Sequence, residues 1–151
     1  MERTPNYRLG FDAWGLAAFL LIMLPNLIWF AIPAPHDILR TQSTTPVTDM
    51  VASVFQVLTI ACLCLIVNKE CRPLRLSPLV IASAACIASY HLGWILYYAG
   101  ITHACVILLL TIAPCVALIL FAADRKNLPA LLFASVFAIC HLIFGIANFI
   151  V

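Results

Sequence analysis

The chain has 151 residues, of which 65% are hydrophobic and only 9% are charged, and its mean hydropathy is +1.11. Soluble domains carry about a quarter charged residues, so this composition excludes a soluble fold, and the net charge of +2 is too small to indicate a nucleic-acid partner. We predict an all-α integral membrane protein, with residues 1–151 forming a single membrane domain whose first partner is the lipid bilayer.

Five apolar stretches are each long enough to cross a bilayer, which requires about 20 residues of helix. Helices are expected there because backbone groups in lipid must be satisfied within the segment itself. The first stretch is too long for the apolar region of a signal peptide and lacks a small-residue cleavage site, so it should be a retained span. The predicted spans cover residues 11–32, 47–67, 78–99, 103–123 and 129–151.

The basic residues fall almost entirely on alternate loops, which share one side of the predicted bundle. The N-terminus, the second loop and the fourth loop carry Arg3, Arg8, Lys69, Arg72, Arg75, Arg125 and Lys126. The remaining loops carry only Arg40. Because Lys and Arg accumulate on cytoplasmic loops, the pattern predicts a cytoplasmic N-terminus, an external C-terminus and a multi-pass protein of the plasma or inner membrane.

A few polar and aromatic side chains interrupt the apolar spans. Their positions convert to depth because a helix rises about 1.5 Å per residue, and most of them fall in the central or outer zone. Polar groups at such depth mark functional sites or hydrogen bonds between helices. We predict a polar and aromatic cavity in the outer half of the bundle, with ligand-binding residues Asn26, Gln56, Tyr90, His91, Trp94, His141 and Asn148.

The two central histidines are the strongest signal for a site. An imidazole in mid-membrane needs a partner or water, and His91 and His141 occupy separate helices at matching depth. They are expected to line one cavity if both rings turn inward. The same pair could ligate the iron of a b-type haem axially. The sequence indicates no other metal site and leaves the cofactor open.

Helical phase groups further side chains. Asp49, Ser53 and Gln56 share one face of the second span. A row of small residues on the third span, Ala85, Ser89 and Gly93, favours close helix packing and predicts a homo-oligomer contact. The aromatic residues near the outer boundary fit either an interfacial belt or a wall for ligand stacking; they are Trp29, Trp94, Tyr97 and Tyr98.

The motifs of common enzymes do not occur in this sequence. We find no P-loop, HExxH, GxSxG or dinucleotide-binding glycine pattern. Cys140 and His141 are adjacent, so their side chains point about 100° apart on a helix and cannot form a hydrolytic pair easily. We therefore expect that the protein is not an enzyme.

The loop between the first two spans reads PAPHDILRTQSTTP. In layout, with five helices in a chain of this length and a sizeable first loop, the whole chain resembles the TspO tryptophan-rich sensory proteins. That resemblance implies a membrane protein that binds tetrapyrroles or sterols. The loop contains no tryptophan, so the tryptophan- and proline-rich signature of that family is missing and the resemblance assigns no binding residue.

Three functions remain open at this point. The first is a protein that binds or conducts a small solute through the predicted cavity. The second is a haem- or tetrapyrrole-binding protein. The third is a noncatalytic accessory or assembly subunit, in which the polar residues only join helices. The coincidence of depth and helical phase favours the first.

Overall fold

The computed structural model describes residues 6–71 and 73–150 and consists mainly of five long helices. All five are long and apolar enough to span a membrane, which confirms the all-α prediction at that level. The helices are α1 (Ala13–Ala31), α2 (Pro46–Leu65), α3 (Pro78–Tyr98), α4 (Ala104–Asp124) and α5 (Leu128–Phe149). The remaining elements are strand β1 (Tyr7–Leu9), strand β2 (Ile66–Asn68) and a short 3-10 helix (Ile38–Arg40).

Local sequence signals explain where the helices begin. Pro46 and Pro78 are the first residues of α2 and α3, where a missing N–H is harmless. The side chains of Asp12, Ser77 and Asn127 cap α1, α3 and α5 by accepting hydrogen bonds from first-turn amides. No predicted boundary differs from its helix by more than two residues. Three residues of the predictions, Arg3, Arg72 and Val151, lie outside the described residues.

One segment differs in kind from the prediction. Residues 66 and 67, which the hydropathy pattern assigns to the second span, belong to β2 and pair antiparallel with β1. Arg8 faces Val67 in this register, and the backbone N–H of Gly10 continues the pairing with a bond to Leu65 O. The backbone groups of β2 form their hydrogen bonds with β1 instead of within a longer α2.

The central helix of the bundle is α4, which has the largest buried share of the five. It packs extensively along α3 and α5, and α2 packs along α5. The first helix, α1, makes smaller contacts with α2, α3 and α4. This arrangement leaves α1 as the least firmly packed wall of the bundle.

One end of the bundle, here called the sheet end, holds β1, β2 and the turn between α4 and α5. Asn127 is buried in that turn, and its side-chain amide donates to the carbonyls of Cys62 and Ile66 at 2.8 Å each. Asp12 accepts a hydrogen bond from Arg125 Nε at 2.8 Å, and both side chains are nearly buried. The turn is therefore tied both to the end of α2 and to the start of α1.

The opposite end, here called the loop end, holds residues 32–45 and the turn between α3 and α4. Asp37 accepts hydrogen bonds from Trp29 Nε1, from the Tyr97 hydroxyl and from Arg40 Nε, all within 3.0 Å. Burial raises the pKa of the Asp37 carboxyl, but these three donors outweigh burial and hold the pKa below its ordinary value of 3.8. The long loop is thus folded onto the helices.

Candidate functional site

A cavity of about 350 Å³ lies between α1 and the rest of the bundle and extends along more than half of α1 and α2 toward the loop end. At the sheet end, α1 and α2 are so close that a Cβ added to Gly15 would lie 2.6 Å from Leu63 O. Along α1 the lining extends from Phe19 to Phe30, and along α2 from Ile60 to Asp49. Each stretch has twelve residues, so its ends lie about 16 Å apart along the helix axis. The two helices therefore meet at one end and enclose a cavity toward the other.

The cavity lining is apolar except for a small group of polar side chains. Phenylalanine rings from α1 and α5, with Tyr90 from α3, supply most of its aromatic surface. The polar side chains in the lining are Asn26, Asp49, Ser53, Gln56, Tyr90 and His141. A mostly apolar cavity with a few convergent polar groups is typical of small-molecule sites.

Four of the seven predicted ligand-binding residues line this cavity: Asn26, Gln56, Tyr90 and His141. The face that Asp49, Ser53 and Gln56 were predicted to share is confirmed, because all three belong to the lining. Three other predicted residues, His91, Trp94 and Asn148, are not in the lining. The predicted site is thus assembled in part.

His141 lies in the cavity between two phenylalanine rings of its own helix. Its ring stacks on Phe137 with centroids 5.1 Å apart and on Phe144 with centroids 5.9 Å apart. The interplanar angles are 20° and 16°. Within residues 6–71 and 73–150 no hydrogen bond to either ring nitrogen is formed. The imidazole is held in place by stacking, and its nitrogens remain available to a ligand.

His91 has a different role from the one predicted. Its Nδ1 lies 2.8 Å from the carbonyl oxygen of Ile87, one turn earlier on α3. The ring is half-buried and contacts Tyr90, but it does not line the cavity that contains His141. Matching depth did not bring the two imidazoles to one cavity, so this cavity does not fit a haem with both histidines as axial ligands.

Tyr90 and Asn26 join α3 to α1 at the cavity wall. The side-chain amide of Asn26 donates to the Tyr90 hydroxyl at 2.8 Å and to Ile22 O at 3.2 Å. Trp94 packs behind this pair, with its ring 6.3 Å from that of Tyr90 and 6.2 Å from that of Trp29. Trp94 therefore supports the wall instead of forming its surface.

Asn148 connects the end of α5 to the loop that precedes α2. Its Oδ1 accepts from the backbone N–H and the hydroxyl of Thr44, and its Nδ2 donates to Thr45 Oγ1 at 3.0 Å. The Thr45 hydroxyl in turn donates to Asp49 Oδ1 at 3.0 Å. Asn148 thus reaches the cavity indirectly, through the position of Asp49.

One residue of the small-residue row and two of the outer aromatic residues are packed inside the bundle. Gly93 packs against Leu109 and Leu110 of α4, whereas Ala85 is exposed and Ser89 is half-buried. Trp94 and Tyr97 are buried, so their rings are part of the bundle core. A homo-oligomer contact through Ala85, Ser89 and Gly93 stays a prediction, with Gly93 already occupied by α4.

Sequence reasoning missed the phenylalanines beside His141 and did not include Asp49 and Ser53 in the predicted site. The signal for the latter two was present, since they share a helical face with Gln56. Phe137 and Phe144 carry no such signal. A phenylalanine in an apolar span has the same composition whether it faces lipid, core or cavity.

The fold and the cavity define a small bundle of five helices, each long and apolar enough to cross a membrane, with one polar and aromatic cavity near the loop end. Comparisons with protein-family models, with curated proteins and with solved structures give no match. The resemblance to TspO proteins therefore remains one of layout.

Proposed function

We propose that the chain is a multi-pass protein of the plasma or inner membrane with a cytoplasmic sheet end and an external C-terminus. The distribution of charge supports this orientation. Among the described residues, the sheet end gathers Arg8, Lys69, Arg75, Arg125 and Lys126, while the loop end carries Arg40. Basic residues concentrate on the cytoplasmic side of membrane proteins. The cavity then extends from the inner part of the bundle toward the external side.

We further propose that the protein binds a small solute in this cavity. The observation that supports binding best is a pair of polar side chains without protein partners. Among the described residues, neither Gln56 nor His141 makes a hydrogen bond, although both line a mostly apolar cavity. The polar atoms of both side chains are open to the cavity, so a ligand that enters it can form hydrogen bonds with them.

Binding is better supported than conduction. The deepest lining residues of α1 and α2, Phe19 and Ile60, lie toward the sheet end, six residues after Ala13 and five residues before Leu65. Below them Gly15 and Leu63 bring the two helices into contact. The cavity therefore resembles a pocket with one mouth, and movement of a solute across the membrane requires a further rearrangement or a second copy of the chain.

The two histidines provide a matched test. His141 lines the cavity and His91 does not, although the sequence places them at the same depth. We expect a small molecule to copurify with the unchanged chain, to be retained by His91→Phe and to be lost from His141→Phe, as measured by native mass spectrometry. Retention by both variants, or equal loss from both with equally lowered thermal stability, contradicts a site at His141.

A second pair of variants tests the cavity without altering a polar group. Ala52 is buried in the lining, whereas Ala85 is exposed on α3. Ala52→Phe should fill the cavity and displace the copurified molecule, and Ala85→Phe should retain it. A bound molecule that survives Ala52→Phe in a folded protein shows that binding occurs elsewhere.

A further inference from the structure

The charge of the lining indicates what kind of molecule the cavity accepts. Asp49 is its one carboxylate, and neither Lys nor Arg occurs among the lining residues of the described chain. We propose that the ligand is an organic cation with an apolar group, and that Asp49 is its counter-ion. This inference rests on the proposed binding function and adds the chemical class of the ligand.

The Asp49 carboxylate is held in place but only partly satisfied. Thr45 Oγ1 donates to Oδ1 at 3.0 Å, and Asn148 Nδ2 donates to the same hydroxyl at 3.0 Å. Among residues 6–71 and 73–150, no side chain donates to Oδ2 and no cation pairs with Asp49. One carboxylate oxygen is therefore fixed by a chain of hydrogen bonds, and the other is left for a partner that the described residues do not supply.

Three of the four other carboxylates among the described residues have a basic partner, and the fourth, Asp124 at the sheet end, accepts a hydrogen bond from the Ser77 hydroxyl. Asp12 pairs with Arg125, Asp37 pairs with Arg40, and Glu70 lies 3.9 Å from a lysine amine. Asp49 is the carboxylate that lines the cavity, and it lacks a basic partner in the described part of the chain. A negative charge beside an apolar cavity favours a cation and disfavours an anion.

The aromatic lining fits the same class of ligand. Phe30, Phe144 and Tyr90 line the cavity together with Asp49. Ring faces attract ammonium groups, most strongly where water is excluded. The deeper lining, which includes Leu118 and Phe137, is suited to the apolar part of the molecule. An amphiphilic ammonium placed with its charge toward Asp49 satisfies both regions.

The test compares two probes of similar size and opposite charge, benzyltrimethylammonium and phenylmethanesulfonate. Binding of each is measured by isothermal titration calorimetry on the full chain in lipid nanodiscs. We expect the ammonium to bind more tightly than the sulfonate, and Asp49→Asn to weaken the ammonium by roughly tenfold or more. Glu70→Gln removes the same charge from an exposed side chain outside the cavity and should leave the affinity unchanged.

Failure of this inference is distinct from failure of the proposed function. Equal affinity for both probes, no binding of the ammonium, or an ammonium affinity that Asp49→Asn leaves unchanged overturns the assignment of a cationic ligand. The binding function is judged separately, by whether His141→Phe and Ala52→Phe displace the copurified molecule. A neutral or anionic molecule displaced by both variants preserves the cavity as a binding site and refutes its preference for cations.

Discussion

The contact between α1 and α2 at Gly15 makes a quantitative prediction about stability. A Cβ at this position would lie 2.6 Å from Leu63 O and 3.2 Å from Leu63 C, both backbone atoms. A Cβ on Gly93 would meet only the ends of Leu109 and Leu110 side chains, at 3.1 Å or more. The two glycines lie inside helices, so the same substitution by alanine isolates the effect of the neighbouring atoms.

The expected magnitudes follow from two opposing effects. Replacing a helical glycine by alanine favours the helix by up to about 1 kcal/mol. Overpacking costs about 1–3 kcal/mol when the neighbours cannot move aside. A backbone carbonyl cannot rotate away, so Gly15→Ala must separate α1 from α2, whereas leucine methyl groups can shift to accommodate Gly93→Ala. We expect Gly15→Ala to be less stable than Gly93→Ala by about 2 kcal/mol.

Gly145 provides an intermediate member of the series. A Cβ there would lie 2.7 Å from Thr111 Oγ1 and 2.9 Å from Thr111 Cγ2, and this side chain is buried and bonded to Ile107 O. Reversible unfolding in mixed micelles, followed by circular dichroism, measures all three variants. A Gly15→Ala protein as stable as Gly93→Ala would refute the close approach of α1 and α2, and an order other than Gly93, Gly145, Gly15 would refute the ranking.

Three further predictions concern the ion pairs and the loop. Because its pKa is lowered, Asp37 stabilises the folded loop above about pH 4 and loses that contribution as the pH falls through the lowered pKa. The difference in unfolding free energy between the unchanged chain and Asp37→Asn should therefore shrink on acidification. A constant difference between pH 7 and pH 3 argues against this role of Asp37. Asp12→Ala removes a helix cap and the partner of Arg125, so it should lower the free energy of unfolding by about 3 kcal/mol or more, while Asp12→Asn keeps a capping oxygen and should lose less. Asn148→Leu releases Thr45 from α5 and should weaken benzyltrimethylammonium severalfold in calorimetry, with unchanged affinity contradicting its role in positioning Asp49.

The helices were predictable because hydropathy and prolines act locally. Pro78 stands at the first position of α3, as predicted, and Pro46 begins α2 one residue before the predicted start. Apolar length alone identifies each span. The two strands were not predictable in the same way. Ile66 continues an apolar run without a break, and its exchange of helix for strand depends on Leu9, more than fifty residues earlier in the chain.

The candidate site could be predicted only where the spacing of residues along one helix was enough to place their side chains on a common face. On α2, the spacing of Asp49, Ser53 and Gln56 places them on one face, and the structure brings that face to the cavity. For the histidines, the sequence indicated their positions along the helices but not the rotation of each helix about its axis. The third helix is apolar on all sides, so nothing in its sequence tells whether His91 faces α1, α4 or lipid.

The pairing of β1 with β2 restricts how the chain can enter a membrane. A hydrogen-bonded ladder joining residues 7–9 to residues 66–68 cannot be divided by a bilayer, so the start of the chain and the connection after α2 must emerge on one side together. The helices α1 and α2 must therefore insert together as a hairpin, so that either both cross the membrane or neither does. This constraint comes from backbone hydrogen bonds and not from the positions of lysine and arginine, so a variant with rearranged charges that keeps the two strands paired also keeps the constraint.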